Sequence, residues 1–215
     1  PGEKVFGPGS WRPMEQMMNS TFGRFQTGGQ VPPNPPTKQD QERAGSDDPG
    51  GTANHSYLTK LNDQNIQKVS APWGYCVTGS LDTMQSSGVP NPKATGQDPN
   101  NPRGMISQMV NDFGWKSMAA GTGQTLNSPY GDANVNVMNN AQWLEQVKAG
   151  NIPSGALIFQ TRHSDWNDGG RGSSGFDAAI AQKGGMDLWN GQQIGGPNVY
   201  GNTQKVIALS PTGRG

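Results

Sequence analysis

From Pro32 to Ser56 the chain contains no Val, Leu, Ile, Met, Phe, Tyr or Trp. A segment of that composition buries too little apolar surface to offset the entropy lost in ordering it. The chain is therefore divided before any element is assigned. Pro32, Pro33, Pro35 and Pro36 favour extended polyproline geometry, and Asp47, Asp48, Gly50 and Gly51 follow them. Residues 26–56 are expected to form an extended linker or arm, ordered only where a neighbouring subunit orders it. Ahead of it, Met14, Met17, Met18 and Phe25 share one helical face, with Trp11 and Phe22 close by. This predicts a short docking segment over 1–25 that either grips a protein assembly partner or packs on its own domain. The folded domain is expected over 57–212.

Within that domain, two kinds of periodicity appear in sequence. Val77, Leu81 and Met84 mark one helix face between the breakers Pro72 and Gly74 and the stop signal Gly88 and Pro90. Tyr57, Leu58, Leu61, Ile66 and Val69 carry a broken helical period over 57–70. Met105, Ile106, Met109, Val110 and Phe113 predict an amphipathic helix over 103–113, and Ala141, Trp143, Leu144 and Val147 another over 139–149. Residues 116–136, rich in Gly, Asn and Ser, give no clear assignment. After Gly155 short apolar runs replace the helical spacing. Strands are predicted at 156–159, 177–181, 186–190 and 205–209, with Lys183-Gly184-Gly185 as a hairpin turn. Helices first and a four-stranded antiparallel β-meander second make an α+β domain.

Several function classes are excluded. Zero net charge and a pI near 7.3 leave no electrostatic footprint for nucleic acid. No stretch approaches the ~20 apolar residues that span a bilayer. Cys76 is the only cysteine, which rules out an internal disulfide and a cysteine-based zinc cluster. Asp165, Asp168 and Asp177 lack the spacing of a calcium loop, and no Gly-rich loop opens a helix with a following Lys. No metal and no cofactor is expected. A chain beginning at Pro1 is expected to have been processed or cut from something longer.

Cys76 carries the chemistry. It falls in the first turn of its helix, where unpaired N–H groups and the helix dipole favour a thiolate. Gly74-Tyr75-Cys76 with its helix, the strand entry Ile152-Pro153-Ser154-Gly155-Ala156-Leu157-Ile158-Phe159, and the strand pair from Phe176 to Asn190 together resemble the papain-like NlpC-type and CHAP cysteine amidases and peptidases. The resemblance covers about residues 70–210. It implies a papain-like fold, with the Cys-bearing helix packed on the meander. It implies a peptidoglycan-directed amidase or endopeptidase that takes bacterial cell-wall peptide or glycan, secreted or virion-associated, acting at the bacterial envelope. Cys76 would attack the amide carbonyl, and Tyr75, Trp166 and Trp189 would line the oxyanion site and groove.

The family needs a histidine at the start of the second strand. Aligning on the Ala-Ile pair puts Asp177 there, and shifting by one puts Phe176 there. Asn190 falls on the position of the orienting polar residue. A carboxylate beside a thiolate is a poor base, because the anions repel and its reference pKa lies far below that of the thiol. Either His163 supplies the base from the end of the first strand, oriented by Asp165 or Asp168, or hydrolysis has been lost. In the second case the module is a structural or attachment protein, a phage virion or secretion-apparatus component, that reuses the hydrolase fold as a scaffold. The environment of Cys76 separates the two. A hydrolase needs an imidazole within reach, whereas a scaffold buries the thiol or leaves it facing Asp177.

Overall fold

The computed structural model describes residues 52–168, 175–191, 194–195 and 202–213. Residues 1–34 and 35–215 form separate units, and every described residue belongs to the second. The docking segment at 1–25 and the arm up to residue 51 lie outside the described residues. The first described helix, α1 (Thr52–Lys60), starts ahead of the boundary expected at Tyr57.

The domain is α+β. Three more helices, α2 (Cys76–Ser86), α3 (Pro102–Asn111) and α4 (Asn140–Lys148), accompany a fully antiparallel sheet. Its path runs β2 (Thr122–Leu126), β3 (Ala133–Asn139), β8 (Lys205–Ser210), β4 (Leu157–Thr161), β5 (Phe176–Gln182), β6 (Asp187–Trp189) and β7 (Ile194–Gly195). The short β1 (Lys116–Ser117) also pairs with β8. The four expected strands are present, but not as a simple meander. β8 inserts between β3 and β4, because Val206 to Leu209 is apolar on both faces and a strand of that kind belongs in the middle of a sheet.

The sheet separates two cores. On one face Leu157, Phe159, Phe176, Ala178, Ile180, Ile207 and Leu209 pack against the apolar sides of α2 and α3. On the other, Ile158, Ala179, Ala181, Val206 and Ala208 pack against Trp143 and Val147 of α4. Helix α3 starts at a Pro after Asn101, whose side chain accepts from the Gly104 N–H at 2.8 Å. Helix α4 carries a capping box between Asn139 and Gln142.

Two sequence expectations need correction. The helix expected over 57–70 stops at Lys60. There Asn62 Oδ1 accepts from the N–H groups of Gln64 and Asn65, both at 3.1 Å, a side-chain turn that competes with helix. The chain then runs extended beside α2, with Gln67 N donating to Ser87 Oγ and Val69 N to Thr83 Oγ1. The unassigned stretch 116–136 contains β1, β2 and the start of β3. Ala133, Val135 and Val137 are buried, while Asn134 faces outward. The outer edge of β2 is blunted by Asn167, whose side chain donates to Thr125 O (3.0 Å) and accepts from Asn127 N (2.9 Å). It thereby occupies groups that a further strand would use.

Candidate functional site

β6 pairs with β5 only from Ile180 to Gln182. Among the described residues, the first half of β5 therefore has β4 on one side and no strand on the other. Helix α2 fills that side. Ser80 Oγ donates to Ala178 O at 3.3 Å, and the Ala178 N–H donates to the Cys76 sulfur. The helix start thus takes over the ladder groups of Ala178, and this brings Cys76 to Asp177.

The docking is close. Gly79 lies in contact with the end of β6, and a Cβ built there would meet Asn190 O at 2.6 Å and Gly191 Cα at 3.0 Å. Ala71 N, in the segment entering α2, donates to Gly191 O at 2.7 Å. Gly79→Ala is expected to cost about 2 kcal/mol, because forced repacking of backbone against backbone outweighs the ~1 kcal/mol that Ala gains over Gly in a helix. A urea titration checks it, and an unchanged or raised midpoint would contradict the close packing.

Three of the expected site residues come together. The Cys76 thiol hydrogen-bonds the Asp177 carboxylate, and Asn190 Nδ2 donates to both Asp177 oxygens at 3.3 and 3.4 Å. All three are buried, Asp177 at 1 % exposure and Cys76 at 9 %. The thiol is pushed up to about 12, by burial first and by the Asp177 charge second, with the N–H groups of Ala178 and Val77 opposing this. Burial also raises Asp177, to about 6, against the hydrogen bonds from Cys76, Asn190 and the Ala178 N–H and the more distant Arg162 charge. The helix N-terminus that favours a thiolate is thus outweighed by desolvation and by a carboxylate.

The other expected residues lie elsewhere. His163 is not among the groups that act on the Cys76 thiol. Its backbone N–H bonds Thr161 Oγ1 at 3.0 Å, and its ring packs on Gly175 and on Phe176, with ring centroids 5.0 Å apart. Phe176 projects from the opposite face of β5 to Asp177, since neighbouring strand residues alternate. The carboxylates expected to orient His163 are used in the loop. Asp165 accepts from Gln124 Nε2 at 2.8 and 2.9 Å and from Asn167 N at 2.7 Å, and Asp168 accepts from Ser164 Oγ.

Trp166 cannot line a groove, because it is fully buried against Phe176. Trp115 and Trp143 are core residues as well. Trp189 lies further along α2, where its indole N–H donates to Thr83 Oγ1 at 3.2 Å and Lys68 covers its face at 5.1 Å. Thr83 is two helical turns from Cys76, so Trp189 is distant from the thiol. Tyr75 does stand at the helix start, exposed, and Trp73 beside it is 75 % exposed. Sequence reasoning passed over Trp73, although Pro72-Trp73-Gly74-Tyr75 places two aromatics on a turn.

Among the described residues, no group of three or more His, Cys, Asp or Glu side chains is arranged to hold a metal ion. Two open clefts, of about 410 and 390 Å³, flank hairpin β2–β3, three strands away from β5. Comparisons with known protein families, with curated proteins and with solved structures found no match.

Proposed function

We propose that this chain is a papain-like module that keeps the layout of a cysteine hydrolase site without its base. In this reading it serves as a structural or attachment component of an assembly at the bacterial envelope and not as a peptidoglycan amidase. One observation carries the reading: the side chain that meets the Cys76 thiol is the carboxylate of Asp177. Cys at the start of a helix, a residue near the start of the neighbouring strand, and a polar residue just after the next strand match the element order of the resemblance. Aspartate in the second position reverses the chemistry. A thiol near 12 facing a carboxylate near 6 would have to give up its proton uphill by several pKa units, at ~1.4 kcal/mol each. Nucleophilic catalysis runs the other way, with the base drawing the proton off. The anchoring role falls to residues 1–56, with their Met- and aromatic-rich docking segment and their arm.

The test is incubation of the purified full chain with peptidoglycan, scoring new amino termini and reducing ends. No release above that of Cys76→Ala is expected. Release that disappears in Cys76→Ala would overturn the reading and restore the amidase.

A further inference from the structure

The Cys76–Asp177–Asn190 cluster has a further buried polar neighbour, Gln160. In the β4–β5 ladder Gln160 stands directly opposite Asp177, so their side chains emerge on the same face of the sheet. Gln160 is 1 % exposed. Thr203, just ahead of β8 and also buried, donates its hydroxyl to Gln160 Oε1 at 2.8 Å. Among the described residues, Gln160 Nε2 has no hydrogen-bond partner. Turning the amide over would exchange the two ends and still leave one unsatisfied. With Oε1 on the Thr203 hydroxyl, an N–H and not a second oxygen is left for the face shared with the Asp177 carboxylate, which is the electrostatically favoured choice.

A buried amide donor left unmade costs about 1–3 kcal/mol, so a strand centre does not keep one without a partner. Asp177 has acceptor capacity to spare. Its two oxygens receive one thiol, one amide at long range and one backbone N–H, against the four or so bonds that a carboxylate accepts. The Thr203 oxygen likewise retains lone pairs after donating. One donor and two acceptors on the same side of the sheet are the partner set of a buried water.

We propose that Gln160, Asp177 and Thr203 hold a single bound water, and that Gln160 is through it a positioning residue for the Asp177 carboxylate. The water accepts from Gln160 Nε2 and donates to Asp177 and to Thr203 Oγ1. It ties β4, β5 and the entry to β8 into one polar layer. It also adds a donor to the ionised form of Asp177, which is the form that holds the Cys76 proton in place. The inference stands whether or not the module hydrolyses anything, since it concerns only what surrounds the carboxylate.

Titration of the Asp177 side-chain carboxyl by carbon-13 NMR tests it in the full chain. In Gln160→Leu the donor is lost, and the Asp177 midpoint should rise by about one pH unit. In Gln160→Glu, close to isosteric, a second carboxyl faces Asp177 and the midpoint should rise further. A crystal structure of the wild type should show the water within hydrogen-bond distance of all three groups, and that of Gln160→Leu should lack it. A midpoint unmoved in both variants would overturn the proposal, and so would a wild-type crystal structure in which the Gln160 amide bonds a protein group directly.

Discussion

Replacing Asp177 with His is expected to raise the alkylation rate of Cys76 by iodoacetamide at pH 7.5 about a hundredfold. With the thiol near 12, only about one molecule in thirty thousand is thiolate at that pH. An imidazole in the same position becomes the thiolate's counter-ion, and Cys–His pairs of that kind titrate near or below neutrality. Bringing the thiol down to about 8 raises the thiolate fraction by nearly four orders of magnitude. The lower intrinsic nucleophilicity of a less basic thiolate gives back about two of them. Asp177→Ala should gain much less, because burial, the first cause of the raised thiol, remains. If Asp177→His keeps the wild-type circular dichroism spectrum and its rate does not rise, Asp177 is not what silences the thiol.

Asp177 should also govern how stability depends on pH. Its folded value, about 6, lies above the ordinary 3.8, so the folded state binds the proton more tightly than the unfolded chain. The associated stabilisation is complete below pH ~4 and is lost as the pH rises through about 6. Over that window the domain should lose about 3 kcal/mol, at 1.36 kcal/mol per pKa unit. Asp177→Asn keeps the shape and removes the titration. It should flatten the profile and leave the variant more stable than wild type at pH 7.5 by up to about 3 kcal/mol. Urea midpoints at pH 4.5 and 7.5 for both proteins decide this. A wild type no weaker at 7.5 than at 4.5, with the variant offering no gain, would mean that the buried carboxylate is better solvated than its surroundings imply.

Much of the architecture was legible where periodicity is strong. Val77, Leu81 and Met84 located α2, and the 103–113 and 139–149 patterns located α3 and α4 to within a few residues. The apolar runs located β4, β5, β6 and β8. The pairing order was not legible, because the insertion of β8 between β3 and β4 depends on contacts between segments far apart in the chain. The β2–β3 hairpin was passed over because Asn and Gly dominate it. Its signal was nonetheless present in the alternation of Ala133, Val135 and Val137 with Asn134 and Asn136. At the site, the juxtaposition of Cys76, Asp177 and Asn190 came from element order. Gln160 was missed because a glutamine inside an apolar run looks like noise until the ladder register sets it opposite Asp177. His163 was brought into the site by its sequence proximity to the end of β4, which does not reveal that its ring packs on Phe176.

The helix that stands in for a missing strand beside β5 also bears on how the chain folds. Its contact with Ala178 spans 98 residues from Ser80. Local turns and hairpins close in microseconds, while a contact that distant must first overcome the entropy of closing the intervening loop. Helix α2 can be assembled early from its own sequence, but it has nowhere to dock until β4 and β5 have paired. In the last stages of folding the molecule would then hold a nearly complete sheet whose flank beside the start of β5 is still open. The helix that closes this flank also shelters the only sulfhydryl, so concealment of the thiol coincides with completion of the domain.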